Sequence, residues 1–146
     1  MRYQLYECNE DKIPIEKEIE YLRSYVDLQR LRKHANYCIR FYAQESVQQF
    51  CIAPLLLIQF VENAFKHVST QPDRTNSIDV LLEKQDGFFV FRVINSKDND
   101  APVQHTKGIG LKNVQRRLEL LYADRYELVV KEEASIFSVL LKLQVS

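Results

Sequence analysis

The sequence predicts an α+β fold, a two-layer sandwich in which helices cover one face of a mixed, mostly antiparallel sheet. Segments of strand character form a run along the chain, and helical segments interrupt this run at two points, as is typical of that class. Asp86–Gly87, between two apolar alternating segments, is a strong hairpin signal and favours antiparallel pairing. The length of 146 residues and the hydrophobic fraction of 46% are sufficient for one domain with its own core.

A further helix precedes the sheet and is predicted from Pro14 to about Arg32, because the first turn of a helix does not need the N–H that proline lacks. Its apolar side chains recur at helical spacing. They are Ile15, Ile19, Leu22 and Val26, with Tyr21, Tyr25 and Leu28 widening the stripe. Such a face either packs on its own domain or joins two copies of the chain in a dimer.

Alternation of apolar and polar residues predicts the strands. They lie at 37–43, 78–84, 88–95, 126–131 and 136–145, with a shorter strand or bridge at 49–52. A polar loop is predicted at 69–77. The polar, irregular stretch 96–106 lies between a core strand and a glycine-containing element, a position that suits a mobile lid over a site.

The segment 54–68 begins with a proline and is apolar almost all the way round, which predicts a buried helix starting at that proline. Four exceptions, Gln59, Glu62, Asn63 and Lys66, fall at i, i+3, i+4 and i+7 and therefore share one face. A carboxylate, an amide and an ammonium along one stripe favour a polar cleft that holds a metal and an anionic ligand. The alternative is an ordinary solvated stripe on a helix that packs on a sheet.

Two glycines, Gly108 and Gly110, stand just before an amphipathic helix predicted at 111–122. Glycine at a helix start lets a ligand approach the backbone, and the free N–H groups attract anions. The spacing excludes a P-loop, which needs GxxxxGK[ST]. A complete GxGxxG is excluded too, since Asn113 stands where the third glycine would be.

Together these two segments resemble a known family. Residues 62–67, ENAFKH, resemble the N box, and residues 108–113, GIGLKN, the second glycine box, of LytS-type sensor histidine kinases in the GHKL superfamily. Residues 15–32 are similar to the family's linker helix, and 116–122 also match. The resemblance implies a Bergerat-type fold. It also implies that residues 1–33 are the linker helix and the end of a dimerisation and phosphoacceptor region, and that 34–146 are an ATP-binding catalytic domain.

The resemblance gives the stripe residues their expected roles. Asn63 is the expected magnesium ligand, since an amide oxygen is a hard neutral donor. Glu62 orients a magnesium-bound water or acts as a base, or else pairs with Lys66 along the helix. Lys66 is expected to reach phosphate oxygens as a point charge. His67 is expected to contact phosphate or to support the residues that do.

The glycine box and one strand end complete the expected nucleotide site. The residues implied in the box are Gly108, Ile109, Gly110, Leu111 and Lys112. Asn95 ends a core strand where the family carries the aspartate of a DxGxG box, which accepts a hydrogen bond from the adenine amino group. An asparagine oxygen can accept that bond without charge assistance, and the glycines of that box are missing here.

The activity implied is transfer of the γ-phosphoryl group of Mg·ATP to a histidine on a segment that this chain lacks, in a bacterial two-component phosphorelay. The partners implied are ATP, the phosphoacceptor helix of the same or the dimer-mate chain, and a LytTR-type response regulator. A homodimer is expected for the full-length protein, with this chain as a cytoplasmic domain of an inner-membrane-anchored kinase. The alternative is a degenerate GHKL domain that relays signals without catalysis.

The bulk composition sets further limits. The formal net charge is zero, so charge gives no argument for nucleic acid as a partner. No apolar run approaches the length of about 20 residues that a membrane helix needs. Cys8, Cys38 and Cys51 are odd in number and widely spaced, which predicts reduced thiols in a cytosolic compartment, with neither disulfides nor a zinc site.

Overall fold

The helices and strands are seen in a computed structural model that describes residues 8, 12–33, 36–73, 75–98 and 109–145. In chain order they are β1 (Ile13–Pro14), α1 (Ile15–Arg32), β2 (Tyr37–Ala43), β3 (Cys51–Ile52), α2 (Leu57–His67), β4 (Asn76–Gln85), β5 (Phe88–Ser96), α3 (Ile109–Tyr122), β6 (Tyr126–Glu132) and β7 (Ile136–Gln144). None of the helices in these ranges is long and apolar enough to cross a membrane.

The main sheet among the described residues has five strands in the order β2-β4-β5-β7-β6. β2 runs parallel to β4, and the other neighbours are antiparallel. The turn between β4 and β5 has positive φ at both central residues, 50° at Asp86 and 82° at Gly87, as a tight hairpin requires. The short strands β1 and β3 pair with each other in a separate ladder.

The core lies between one face of the sheet and the helices. Every second residue of β5 is buried on that face, namely Phe89, Phe91 and Val93. α2 covers this face, and the ring centroids of Phe60 and Phe91 are 6.0 Å apart. Each such side chain stabilises the fold by about 1.5–3 kcal/mol through burial. The predicted two-layer α+β arrangement is therefore confirmed.

α1 packs on its own domain, but its buried face differs from the predicted one. The buried residues are Ile15, Glu18, Leu22 and Val26. The prediction that Tyr21 and Leu28 belong to this face is wrong, since they are 48% and 53% exposed. Positions 15, 18, 22 and 26 define a stripe about one residue's rotation away from 21 and 28. The domain boundary between residues 33 and 34 stays a prediction.

The second helix begins three residues later than predicted. Pro54 does not open it, because Leu55 has a φ of 58°, in the left-handed region that interrupts a right-handed helix. The helix starts at Leu57, with Leu56 in the cap position. The sequence therefore predicted this helix correctly but placed its first turn wrongly.

The cysteine prediction is wrong as well. Cys8 and Cys51 form a disulfide, with their Cα atoms 5.7 Å apart, whereas Cys38 is free and exposed. Pairing of β1 with β3 brings the segment before α1 beside Cys51, since Pro14 and Cys51 are register partners. A sequence separation of 43 residues carried no sign of this proximity.

Candidate functional site

The predicted polar stripe of α2 lies on the side of the helix that faces away from the core. The opposite side is buried and consists of Leu57, Ile58, Phe60, Val61, Ala64 and Phe65. Gln59 and Asn63 are half-buried, while Glu62 and Lys66 are exposed. The structure thus keeps the four residues on one accessible face, where they can meet a ligand.

α1 flanks the stripe near Glu62. The rings of Tyr25 and Phe65 pack edge to face with their centroids 5.7 Å apart. Burial, and then the charge of Glu62, raise the pKa of the Tyr25 hydroxyl. The first helix therefore forms part of the surroundings of this carboxylate.

The carboxyl end of α2 is tied to the end of β5. The Ser69 N–H donates to the Ser96 carbonyl oxygen at 2.9 Å, and the hydroxyl oxygens of the two serines are 2.7 Å apart. The Ser69 hydroxyl also bonds the Asn76 Oδ1. This buried polar cluster places the end of α2, with His67, beside the strand end that carries Asn95.

Asn95, which the resemblance assigns to the adenine contact, is buried near the end of β5. The residue is 1% exposed, and its Nδ2 donates to the Ser96 carbonyl oxygen at 2.9 Å. Its Oδ1 is buried and has no hydrogen-bond partner in the structure as described. A buried acceptor without a donor costs about 1–3 kcal/mol. A ligand N–H, such as an exocyclic amine, fits this atom.

The first residues of the predicted lid are fixed rather than mobile. Ser96 is the last residue of β5, and Lys97 is buried. The Lys97 ammonium lies 3.7 Å from a Glu132 carboxylate oxygen and donates to the Ala134 carbonyl oxygen at 3.3 Å. The lid prediction is therefore wrong for residues 96 and 97, because the sheet and a buried ion pair hold them. Residues 99–106 lie outside the described residues.

The glycine box is described from Ile109 onwards, and Gly108 lies outside the described residues. α3 already includes Ile109 and Gly110, so Gly110 belongs to the first helical turn rather than to a preceding loop. Leu111 is half-buried and Lys112 exposed. Beside them lies a cavity of about 360 Å³, lined by Leu111, Lys112, Gln115, Leu128 and Val130.

The polar stripe and the other predicted site residues lie on elements that contact one another. α2 contacts both β5, the strand that carries Asn95, and α3, the helix that carries the glycine box. The cavity beside Lys112, however, is lined by α3 and β6 and not by the stripe. Within the described residues, no cluster of three histidines, cysteines or acids could hold a metal alone. A magnesium ion on Asn63 would therefore complete its coordination with water and with oxygens of a bound ligand, as in a Mg·nucleotide.

Sequence reasoning missed Glu18, which holds the start of α2. It is fully buried, and its two carboxylate oxygens accept the N–H groups of Leu55 and Leu57, each at 3.0 Å. Burial raises the pKa of this carboxyl, while those N–H donors and the Arg117 charge oppose the rise. The sequence does contain a sign of this role, because Glu18 falls at helical spacing between the apolar residues Ile15 and Leu22 and so lies on the buried face of α1.

Comparisons with known proteins find relatives over most of the chain. Over 134 residues the chain is 27% identical to the sensor histidine kinase/phosphatase LytS of Staphylococcus aureus, a match that covers 83% of the chain and 23% of that relative. The chain thus spans about a quarter of the length of the curated relatives it matches. No protein-family model matches it.

Solved structures match the fold. The catalytic domain of the histidine kinase ThkA superposes with a TM-score of 0.63 at 14% identity, covering 92% of this chain and 95% of that domain. Full-length ShkA in complex with AMPPNP gives 0.67 at 16% identity, covering 97% of this chain and 32% of ShkA. The chain is therefore a homologue of the LytS-type sensor histidine kinases, as its motifs predicted, and it has the fold of histidine kinase catalytic domains.

Proposed function

We propose that this chain is the ATP-binding catalytic domain of a two-component sensor histidine kinase. The observation that carries the proposal is the buried Asn95 Oδ1, an acceptor without a donor at a strand end that is tied to the end of α2. An adenine amino group would donate a hydrogen bond to it, as it does to the DxGxG aspartate in the family that the motifs resemble. The homology to LytS and the fold support the same function.

The remaining roles are assigned to the residues of α2 and α3. Asn63 would hold magnesium together with phosphate oxygens, and Lys66 and His67 would contact phosphate. Glu62 would orient a water or act as a base. The free N–H groups at the start of α3, around Gly108 and Gly110, would receive phosphate, with Ile109, Leu111 and Lys112 beside them. Transfer would rest on positioning and charge stabilisation of the phosphoryl group.

The finer partners are part of the proposal. The acceptor would be a histidine on a helix upstream in the same chain or in its dimer mate. A LytTR-type response regulator would then receive the phosphoryl group. The full-length protein would be a homodimer, anchored in the inner membrane, with this domain in the cytoplasm. The S. aureus relative, named a sensor histidine kinase/phosphatase, motivates the two-component assignment.

The test is calorimetric titration with Mg·AMPPNP, combined with thermal unfolding. A ligand that binds only the folded chain raises its stability, by about 2.7 kcal/mol at a free concentration of 100 Kd. Asn95→Leu, which removes the acceptor, should weaken binding about tenfold. Asn95→Asp, which supplies a charged acceptor, should bind at least as tightly as the parent. No heat and no thermal shift for the parent at millimolar ligand would contradict the proposal and favour a non-catalytic relay domain.

Phosphotransfer is tested with the upstream segment added, as a longer chain or in trans. Acid-labile phosphohistidine should form only when that segment is present. Gly110→Ala should suppress it, because a methyl group in the first turn of α3 hinders close approach of phosphate. Acid-labile labelling of the 146-residue chain alone would show that the acceptor has been misassigned.

A further inference from the structure

We propose that Glu18 is a positioning residue: its carboxylate sets the start of α2 and thereby the place of Asn63 for Mg·ATP. This inference rests on the proposed function for its ligand, but its structural part can be tested without nucleotide. It concerns the four residues before α2 together with its first residue, 53–57, here called the α2 joint.

The carboxylate supplies a cap that α2 lacks in its own sequence. The first N–H groups of a helix have no partners within it, and a negative charge there is favourable. α2 has no acidic residue in its first turn and no side-chain hydrogen bond from its cap residue, Leu56. Instead Glu18, from α1, accepts the Leu55 N–H and the Leu57 N–H, one on each oxygen, at 3.0 Å.

The backbone at the joint needs such support. Leu55 has a φ of 58°, which is rare for a bulky residue and costs about 1–3 kcal/mol. Its side chain is 48% exposed, so apolar burial compensates little of this cost. The bond from its N–H to Glu18 therefore helps to hold this conformation.

α3 holds the same joint from a second direction. The Arg117 guanidinium donates to the Pro54 carbonyl oxygen at 3.1 Å. The buried Tyr122 hydroxyl oxygen accepts the Ala53 N–H at 3.1 Å. The start of α2 is thus bonded to α1 through Glu18 and to α3 through Arg117 and Tyr122, and α3 is the helix that carries Gly110.

The joint is close enough to the stripe to position it. Asn63 lies six residues after Leu57, or about 9 Å along the helix axis at about 1.5 Å per residue. A helix of this length moves as a rigid body, so a shift or tilt of its first turn displaces Asn63. The orientation of α1 is therefore transmitted through Glu18 to the proposed magnesium ligand.

Burial of apolar surface does not explain a carboxylate at this position. A fully buried charge is costly, and replacing buried charged groups by well-packed apolar side chains often leaves a fold as stable or more stable. The raised pKa of Glu18 reflects that cost. What the carboxylate does and an apolar side chain cannot do is fix two backbone N–H groups at once.

The test measures Mg·ATP affinity and, separately, amide hydrogen exchange of α2 without nucleotide. Glu18→Gln keeps the size of the side chain but leaves one acceptor oxygen. We expect about tenfold weaker binding of Mg·ATP and faster exchange in the first turn of α2. Glu16→Gln is the matched control, since Glu16 accepts the Gln49 N–H at 3.0 Å, before β3 and not at the joint. It should bind as the parent does.

Leu143→Ala separates positioning from loss of stability. Leu143 is fully buried in β7, and its removal lowers the melting temperature without touching the joint. At a temperature where all variants are folded, it should keep the parental affinity. If Glu18→Gln does not fold, Arg117→Ala tests the joint instead and should weaken binding about threefold.

The inference is overturned if Glu18→Gln has the affinity and the α2 exchange rates of the parent, or if Leu143→Ala loses as much affinity as Glu18→Gln does. Failure of the proposed function looks different: the parent itself would not bind Mg·ATP. In that case the exchange rates of α2 in Glu18→Gln still decide whether Glu18 positions the helix.

Discussion

The polar stripe of α2 and the start of that helix differ in how they relate to the sequence. The accessible stripe around Asn63 is made of polar side chains in an otherwise apolar helix, and it is visible in the sequence as an exception at helical spacing. The start of the helix is held by Glu18, whose partners lie 37 and 39 residues further along the chain. A polar stripe on one helix is thus easier to predict from local periodicity than the contacts between distant segments that hold the start of that helix.

The same difference explains which parts of the fold could be predicted. Strand alternation and the Asp86–Gly87 turn are local signals, and the strands they predict are present with shifts of one or two residues at their ends. The start of α2 and the Cys8–Cys51 disulfide depend on contacts between distant segments, which local periodicity does not contain. Sequence reasoning failed where tertiary contacts override local preference, as at Pro54 and Leu55.

The candidate site shows the same division. Asn63 and Asn95 were predicted from motifs, and the structure places Asn95 as a buried acceptor beside the end of α2. The buried ion pair of Lys97 with Glu132, which fixes the first residues of the expected lid, had no sequence signal, because the two residues lie on different strand ends. The ligand-binding roles of Asn63 and Asn95 stay predictions, whereas the first residues of the expected lid are bonded to neighbouring strand ends.

The largest expected effect concerns the segment before α2. On the chain-entropy model, a disulfide that closes a loop of 43 residues contributes about 4 kcal/mol to the free energy of unfolding. The double variant Cys8→Ser, Cys51→Ser should lose about this much in urea unfolding. Its folded form should keep the Mg·ATP affinity of the parent, because Glu18 and the stripe are unchanged.

Cys38→Ser is the control for that measurement. Cys38 is free and exposed, so its replacement should leave the unfolding midpoint unchanged. Equal stability of the parent under oxidising and reducing conditions would show that the disulfide does not hold this end of the molecule.

A second prediction addresses the stripe alone. Asn63→Ala should weaken magnesium-dependent nucleotide binding about 100-fold. Replacing residues that only support a metal ligand already lowers metal affinity or activity by about 10–100-fold. The free energy of unfolding should change little, because Asn63 is only half-buried. Calorimetry with and without EDTA measures both the affinity and its magnesium dependence.

Gln59→Ala is the matched variant, one turn earlier on the same face and also half-buried. We expect it to bind Mg·ATP as the parent does. If Asn63→Ala binds Mg·ATP as tightly as Gln59→Ala and the parent do, the stripe is only a solvated face and the assignment of magnesium to Asn63 is wrong.

The smallest expected effect is a pH dependence of the free energy of unfolding that arises from Glu18 at the start of α2. The pKa of Glu18 is raised above its ordinary value of 4.5, first by burial and against the opposing N–H donors and Arg117. Between 4.5 and the raised value, the folded chain keeps a proton that the unfolded chain releases. Because the folded state binds more protons there, its free energy of unfolding falls as pH rises through this window.

Glu18→Gln cannot titrate at this position, so its stability lacks that contribution. Urea unfolding of parent and variant over a pH series should give a difference, parent minus Glu18→Gln, that declines as pH rises from below 4.5 and levels off above the raised pKa. Titrating groups that do not interact with Glu18 are common to both proteins and cancel in this difference. Tyr122 interacts with the charge of Glu18, but its pKa, raised first by burial, lies above this pH window. A difference that is constant or increases with pH would mean that Glu18 is not held as a desolvated carboxyl in solution. Burial of Glu18 would then not distinguish the start of α2 from the exposed stripe.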